Sequence, residues 1–131
     1  MSSIFSKIIK GEIPCFKIAE DENNLAFLDI NPLKKGHTLV IPKVEVDQLF
    51  DLSDEDYVSL LQFSKRIANS IKATIPCKRV SVVVLGFEVP HAHIHLIPTD
   101  SDREIQFTNP KMRFSQEEMI EIADSIGRNM K

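Results

Sequence analysis

The chain carries only two cysteines in 131 residues, Cys15 and Cys77, and they are not spaced as Cys-x-x-Cys. That argues against a disulfide framework and for free thiols in a reducing compartment. Glycine is scarce, at four residues, and there are no repeats, low-complexity tracts or interdomain linkers. No apolar run is long enough for a signal peptide or a membrane span, so the cytoplasm is the expected compartment and no membrane partner is expected. Positive charge is not in excess. Sixteen Lys and Arg against 19 Asp and Glu leave a net charge of −3. A broad nucleic-acid footprint is therefore not expected, although a small anion held locally is compatible with it. The composition is ordinary globular, 43% apolar and 27% charged, and residues 1–131 fit one domain with a real core.

Short elements follow one another with short connections. Ile4 to Ile9 reads as a helical turn ended by Gly11. Phe16 to Glu20 and Leu25 to Ile30 flank a turn-like Asp21-Glu22-Asn23-Asn24, and His37 to Ile41 is a third strand stopped by Pro42. Ser53 followed by Asp54, Glu55 and Asp56 is a helix start. Tyr57, Leu60, Leu61, Ser64, Ile67, Ala68 and Ile71 then trace a helical stripe to about Lys72. Arg79 to Leu85 is β-branched and apolar, which predicts a buried strand. Ser115 with Glu118 forms a capping-box pattern before a final helix, about 116–130, with Met119, Ile120, Ala123 and Ile126 on its apolar side. Strands, helix, strands, helix predicts an α+β fold with an antiparallel sheet.

The densest chemistry lies in His91-Ala92-His93-Ile94-His95-Leu96-Ile97-Pro98, which holds three of the chain's four histidines. Strict alternation predicts a strand with the imidazoles on one face and Ala92, Ile94 and Leu96 on the other. Imidazole changes charge near neutral pH, so such a row suggests chemistry. Three readings compete. Two neighbouring imidazoles, ~6.6 Å apart along the strand, can share a metal, but a full site needs ligands from elsewhere, and only His37 offers itself. Neutral imidazole also attacks phosphorus and leaves well. His93 would then be a nucleophile with donors on either side. The third reading is a satisfied structural row.

The row is identical to the signature of the histidine triad (HIT) family, His-φ-His-φ-His-φ-φ with φ apolar, from His91 to Ile97. The likeness extends further. Ile4 to Pro14 resembles the family's opening segment. Leu25-Ala26-Phe27-Leu28-Asp29-Ile30-Asn31-Pro32, followed by Gly36 to Lys43, resembles its nucleotide-binding strands. The resemblance spans about residues 3–98 and is nearest the branch that hydrolyses purine nucleoside phosphoramidates.

The resemblance implies a five-stranded antiparallel sheet with one long helix and a C-terminal helix, and a homodimer. It implies a hydrolase that binds a purine nucleotide and cleaves a bond at its α-phosphorus through a nucleotidyl-histidine. His93 would be the nucleophile, His95 and His37 would bind or orient phosphate, and His91 would support the triad. Asp29 would accept hydrogen bonds from the ribose hydroxyls. Ile4, Phe5, Ile8, Phe27 and Leu39 would form the base pocket; ordinary core is the plainer reading of each. No cofactor is implied.

Two departures stand out. Some members hold structural zinc with two N-terminal cysteines and a later histidine; Ser3, Ser6 and Glu45 occupy the corresponding places here, so no metal is expected. The loop before the triad is shortened to Gly86-Phe87-Glu88-Val89-Pro90, with Glu88 where the family usually has Ser or Thr. An ionised Glu88 would repel an anionic leaving group at the phosphate end of the site. The alternative function is accordingly a nucleotide-binding module with little turnover.

Overall fold

A computed structural model of the chain describes residues 2–130. Five strands form one antiparallel sheet: β1 (Lys17–Glu20), β2 (Asn24–Leu28), β3 (Thr38–Pro42), β4 (Arg79–Val83) and β5 (Ile94–Thr99). Their spatial order is β1-β2-β3-β5-β4. The sequence expectation of an α+β fold with this sheet holds. The register sorts side chains by parity. Phe27, Leu39 and His95 lie in one row across β2, β3 and β5, and Ala26, Val40 and Ile94 lie in the next row. Alternate residues point to opposite faces. The second row, with Leu28 and Leu96, faces the main core. Phe27 and Leu39 join Phe5, Leu25 and Ile41 in a smaller cluster on the other face.

The main core is roofed by α2 (Asp54–Thr74) and α3 (Gln116–Arg128). Ser53 caps α2 by accepting from Asp56 N at 3.1 Å, with three acids in the first turn. Leu60, Phe63, Ser64, Ile67 and Ile71 form its buried stripe. Leu61, expected inside, is 38% exposed and Phe63 takes the buried place. Spacings of three and four counted from Leu60 select Phe63 and Ser64, whereas Leu61 lies one position off that face. The capping box of Ser115 and Glu118 is formed at α3. There Ile122, not Ile120, lies inside with Met119, Ala123 and Ile126 for the same reason of phase. A Cβ at Gly127 would stand 2.7 Å from the Ile18 carbonyl oxygen, so only glycine lets α3 lie this close to β1.

Two expectations need correction. The apolar Arg79 to Leu85 segment is not a buried strand: β4 is a sheet edge, with Val82 62%, Val84 41% and Leu85 48% exposed. β5 takes the internal place between β3 and β4, and apolar composition alone does not tell an internal strand from an uncovered edge. The histidine row is also only partly a strand. The β5 ladder starts at Ile94. Before it, His91 N donates to the Val89 carbonyl at 2.8 Å and Ala92 N to the Val46 carbonyl at 2.7 Å. Pro90 lacks an amide for a ladder, and the row is stitched to the loop after β3 instead.

Candidate active site

The site lies on the sheet face opposite α2 and α3, beneath the short helix α1 (Ile4–Ile9). Its histidines sort themselves by hydrogen-bond bookkeeping, because a neutral imidazole has one donor and one acceptor nitrogen. His93 Nδ1 lies 2.7 Å from the His91 carbonyl oxygen. A carbonyl only accepts, so Nδ1 carries the proton and Nε2 the lone pair. His91 Nε2 lies 2.8 Å from the Pro42 carbonyl and donates to it, leaving Nδ1 to accept from the Ser3 hydroxyl at 2.9 Å. The Leu33 amide donates to His37 Nδ1 at 3.0 Å, so His37 holds its proton on Nε2. That proton faces His95 Nδ1 at 3.0 Å, with the Asp29 carboxylate 3.5 Å away. His95 therefore carries its own proton on Nε2. The Nε2 atoms of His93 and His95 have no protein partner among the described residues, and neither is a sealed orphan. One is a lone pair and the other a donor, on rings whose centroids are 5.2 Å apart.

Burial shapes the charges. His37 is pushed down to about 3, first by burial and then by the nearby His95 and by the Lys111 ammonium. Burial and then His93 lower His95 to about 4. Burial also lowers His91, partly offset by the Pro42 carbonyl and Glu45. These three imidazoles are therefore neutral at pH 7. Burial raises the Asp29 carboxyl above its ordinary value; the Asn31 amide, His93 and Lys111 pull the other way, and Glu88 adds to the rise. Asp29 Oδ1 accepts from Asn31 N at 2.8 Å, and its side chain remains 19% exposed.

The remaining sequence candidates are distributed as follows. Phe5, Phe27 and Leu39 are buried together, with Ile8 half-buried against them. Phe5 meets His93 edge-on at 5.0 Å and Phe27 at 5.7 Å. Ile4 is 48% exposed on α1 and outside that cluster. Glu88 is exposed on its turn, without a hydrogen bond, yet close enough for its charge to act on Asp29. His37, expected to meet phosphate, has both nitrogens engaged inside the protein, and its geometry suits it to orient His95.

Sequence reasoning missed two residues on the segment before α3. Phe107 stacks edge-on against His95 at 4.8 Å and His37 at 6.1 Å. Lys111 Nζ donates to the carbonyls of Phe107 and of Asn109, the latter at 3.1 Å, which holds an ammonium beside this end of the site. The segment has no periodicity to place it; its one signal is a lone aromatic before Asn109-Pro110.

Two sets of side chains invite a metal. One ligand atom each of Asp29, His37 and His95 lie within 4.8 Å of one another. The proton inventory opposes coordination: the Leu33 amide forces the His37 proton onto Nε2, the atom that would have to bind. The other set is Ser3, Ser6, Glu45 and His91. Ser3 N donates to Glu45 Oε1 at 2.7 Å and Ser6 Oγ donates to the same oxygen at 2.5 Å. Zinc favours thiolate and imidazole ligands; two hydroxyls and a carboxylate oxygen already committed to each other do not fit it.

The HIT domain family matches residues 10–102 of the chain. An adenosine 5'-monophosphoramidase of Schizosaccharomyces pombe is 36% identical over the whole of both chains. Among solved structures, a Hit-like protein of Bartonella henselae superposes with a TM-score of 0.85 at 30% identity, covering 98% of this chain and 96% of that one. A zinc-bound histidine triad family protein of Mycobacterium smegmatis gives 0.82 at 28% identity, covering 98% and 93%. The sheet order, the four-histidine arrangement and these likenesses agree, and the chain belongs to the HIT domain family.

Proposed function

We propose that the protein is a hydrolase acting at the α-phosphorus of a purine nucleotide conjugate, a nucleoside phosphoramidate or a close relative. The observation that carries this is the pairing of an open His93 Nε2 lone pair with an open His95 Nε2–H on adjacent rings. The lone pair forms an N–P bond as the P–N bond to the amine breaks, the amine taking up a proton from solvent; water then displaces the histidine, returns a proton to solvent and releases the nucleoside monophosphate. His95 donates to a phosphoryl oxygen, held in that tautomer by His37, while His91 fixes His93 through its carbonyl. Asp29 receives the ribose hydroxyls. Phe5, Phe27 and Leu39 floor the base pocket, with Ile4 and Ile8 on its α1 side. Support comes from the Schizosaccharomyces pombe relative, named as an adenosine 5'-monophosphoramidase. The test is incubation of purified protein with adenosine 5'-phosphoramidate. AMP release and a trapped nucleotidyl-His93 are expected; AMP binding with no release leaves a binding module.

The binding-module reading is favoured by one observation, the shortened loop before the triad, where Glu88 stands exposed without a hydrogen bond and close enough to act on Asp29. Two like charges ~4 Å apart at an effective dielectric of ~20 repel by ~4 kcal/mol before screening, which disfavours anionic leaving groups. The hydrolase reading includes a homodimer in the cytoplasm. β4 presents unpaired edge groups beside exposed Val82, Val84 and Leu85, a surface that a second copy's β4 would cover. No helix among the described residues is long and apolar enough to cross a membrane.

A further inference from the structure

The Ser3–Ser6–Glu45–His91 cluster lies outside the reacting groups, yet each of its hydrogen bonds has a direction. Ser6 Oγ and Ser3 N both donate to Glu45 Oε1. Because the Ser6 hydroxyl is spent on Glu45, it does not compete for His91, whose Nδ1 lies 3.5 Å away. The Ser3 hydroxyl accepts from Ser6 N at 3.0 Å and so has its own proton free for His91 Nδ1. His91 is thereby held to a single tautomer, with Nε2–H on Pro42. Its carbonyl is the group that holds His93 Nδ1–H. Phe5, carried on the same α1 that Glu45 anchors, closes against both rings, at 5.9 Å from His91 and 5.0 Å from His93. Ser3, Ser6 and His91 are buried, which shields the bonds among them from water, whereas Glu45 is exposed and holds its place through the two hydrogen bonds it accepts.

We infer that Glu45 is a positioning residue for His93: through Ser3 and Ser6 it docks α1 and orients His91, whose carbonyl then keeps the His93 Nε2 lone pair aimed into the site. The inference rests on the hydrolase reading for its effect on rate, but not for its effect on the ring. Glu45 does not touch the reacting atoms. It is 42 residues from Ser3 in sequence, on the loop that also receives the Ala92 amide through Val46. One carboxylate thus joins the first helix, the loop after β3 and the row of histidines.

The test compares Glu45→Ala with Glu45→Gln, whose amide oxygen can still accept from Ser3 N and Ser6 Oγ. Ring nitrogen-15 spectra of His93 at pH 7, without substrate, are recorded alongside kcat and KM for adenosine 5'-phosphoramidate. In the wild type His93 shows the Nδ1–H tautomer. Glu45→Ala should convert that signal to an exchange-averaged mixture and lower kcat roughly 10- to 100-fold, the scale of a small misplacement of a reacting group. Glu45→Gln should keep the wild-type tautomer and most of kcat. Ser6→Ala, which removes a single hydroxyl, gives a milder version of the Glu45→Ala change in a chain that still folds. An unaltered His93 tautomer in both Glu45→Ala and Ser6→Ala overturns the inference. A wild type that shows the tautomer and its response to Glu45→Ala but no turnover sinks the hydrolase reading and leaves the relay standing.

Discussion

His37 and His91 differ from His93 and His95 in one respect that decides their use. Each of the first pair has both ring nitrogens bonded inside the protein, His37 to Leu33 and His95, His91 to Ser3 and Pro42. Each of the second pair has Nδ1 committed and Nε2 open. The four side chains are chemically identical and all are buried. Their division of labour is set by partners: the sealed histidines fix which nitrogen of the open ones carries the proton. On this view the open pair should matter for rate and the sealed pair for stability and alignment.

The largest effect expected is on His93. His93→Ala should reduce hydrolysis by ~10⁴-fold or more, the scale seen when a nucleophile is removed, and should leave AMP affinity largely intact. Near wild-type hydrolysis in a stopped assay would end its role as nucleophile. Asp29→Asn should weaken AMP binding by about 1.5–3 kcal/mol per lost charge-assisted bond, and 2′,3′-dideoxy-AMP binding much less. Equal losses by calorimetry would make Asp29 structural. His37→Ala should destabilise the fold by about 1–3 kcal/mol, because it leaves the Leu33 amide unpaired. His93→Ala should cost visibly less in the same denaturant titration; equal costs would erase the distinction between sealed and open rings.

Acid should unmask the same distinction. His37 and His95 bind protons in the unfolded chain near 6.5 but in the folded protein only near 3 and 4. Between those values the unfolded state holds more protons, so stability is full above 6.5 and falls as pH drops through the window. Glu45 and Glu20, held at about 2 against an ordinary 4.5, begin to lose their contribution only below 4.5. Melting temperature should therefore already decline between pH 6.5 and 4.5, and His37→Phe should flatten that part of the curve. The smallest effect expected is none: activity should survive EDTA, and loss of activity restored by zinc would contradict the proton count at His37.

The sheet, both long helices and both caps were legible because they rest on local signals: period, Ser caps and Pro or Gly stops. So was the collection of residues drawn to the site, since His37, Asp29 and the His91 to His95 row stand in short motifs. Helix phase was less legible. Leu61 and Phe63, or Ile120 and Ile122, are equally apolar, and only packing against the sheet chooses between them. The edge position of β4 was hidden because topology, not composition, decides it. Phe107 and Lys111 were hidden because their meaning depends on a contact with His95 that forms only once the chain has passed a short 3-10 turn at Asp102–Ile105. Ser3, Ser6 and Glu45 were visible as departures, but the bonds among them were not.

The segment that carries Phe107 and Lys111 is fastened to the loop beyond Asp29 by a backbone hydrogen bond, Met112 N to the Pro32 carbonyl at 2.8 Å. Met112 itself is 40% exposed. That amide exchanges with solvent only when this bond opens, either locally or with the whole fold. The Met112 amide is thus a clock for the strap. Its exchange rate, set beside that of a core amide such as Val40 on β3, separates local release of Met112 from Pro32 from unfolding of the whole protein.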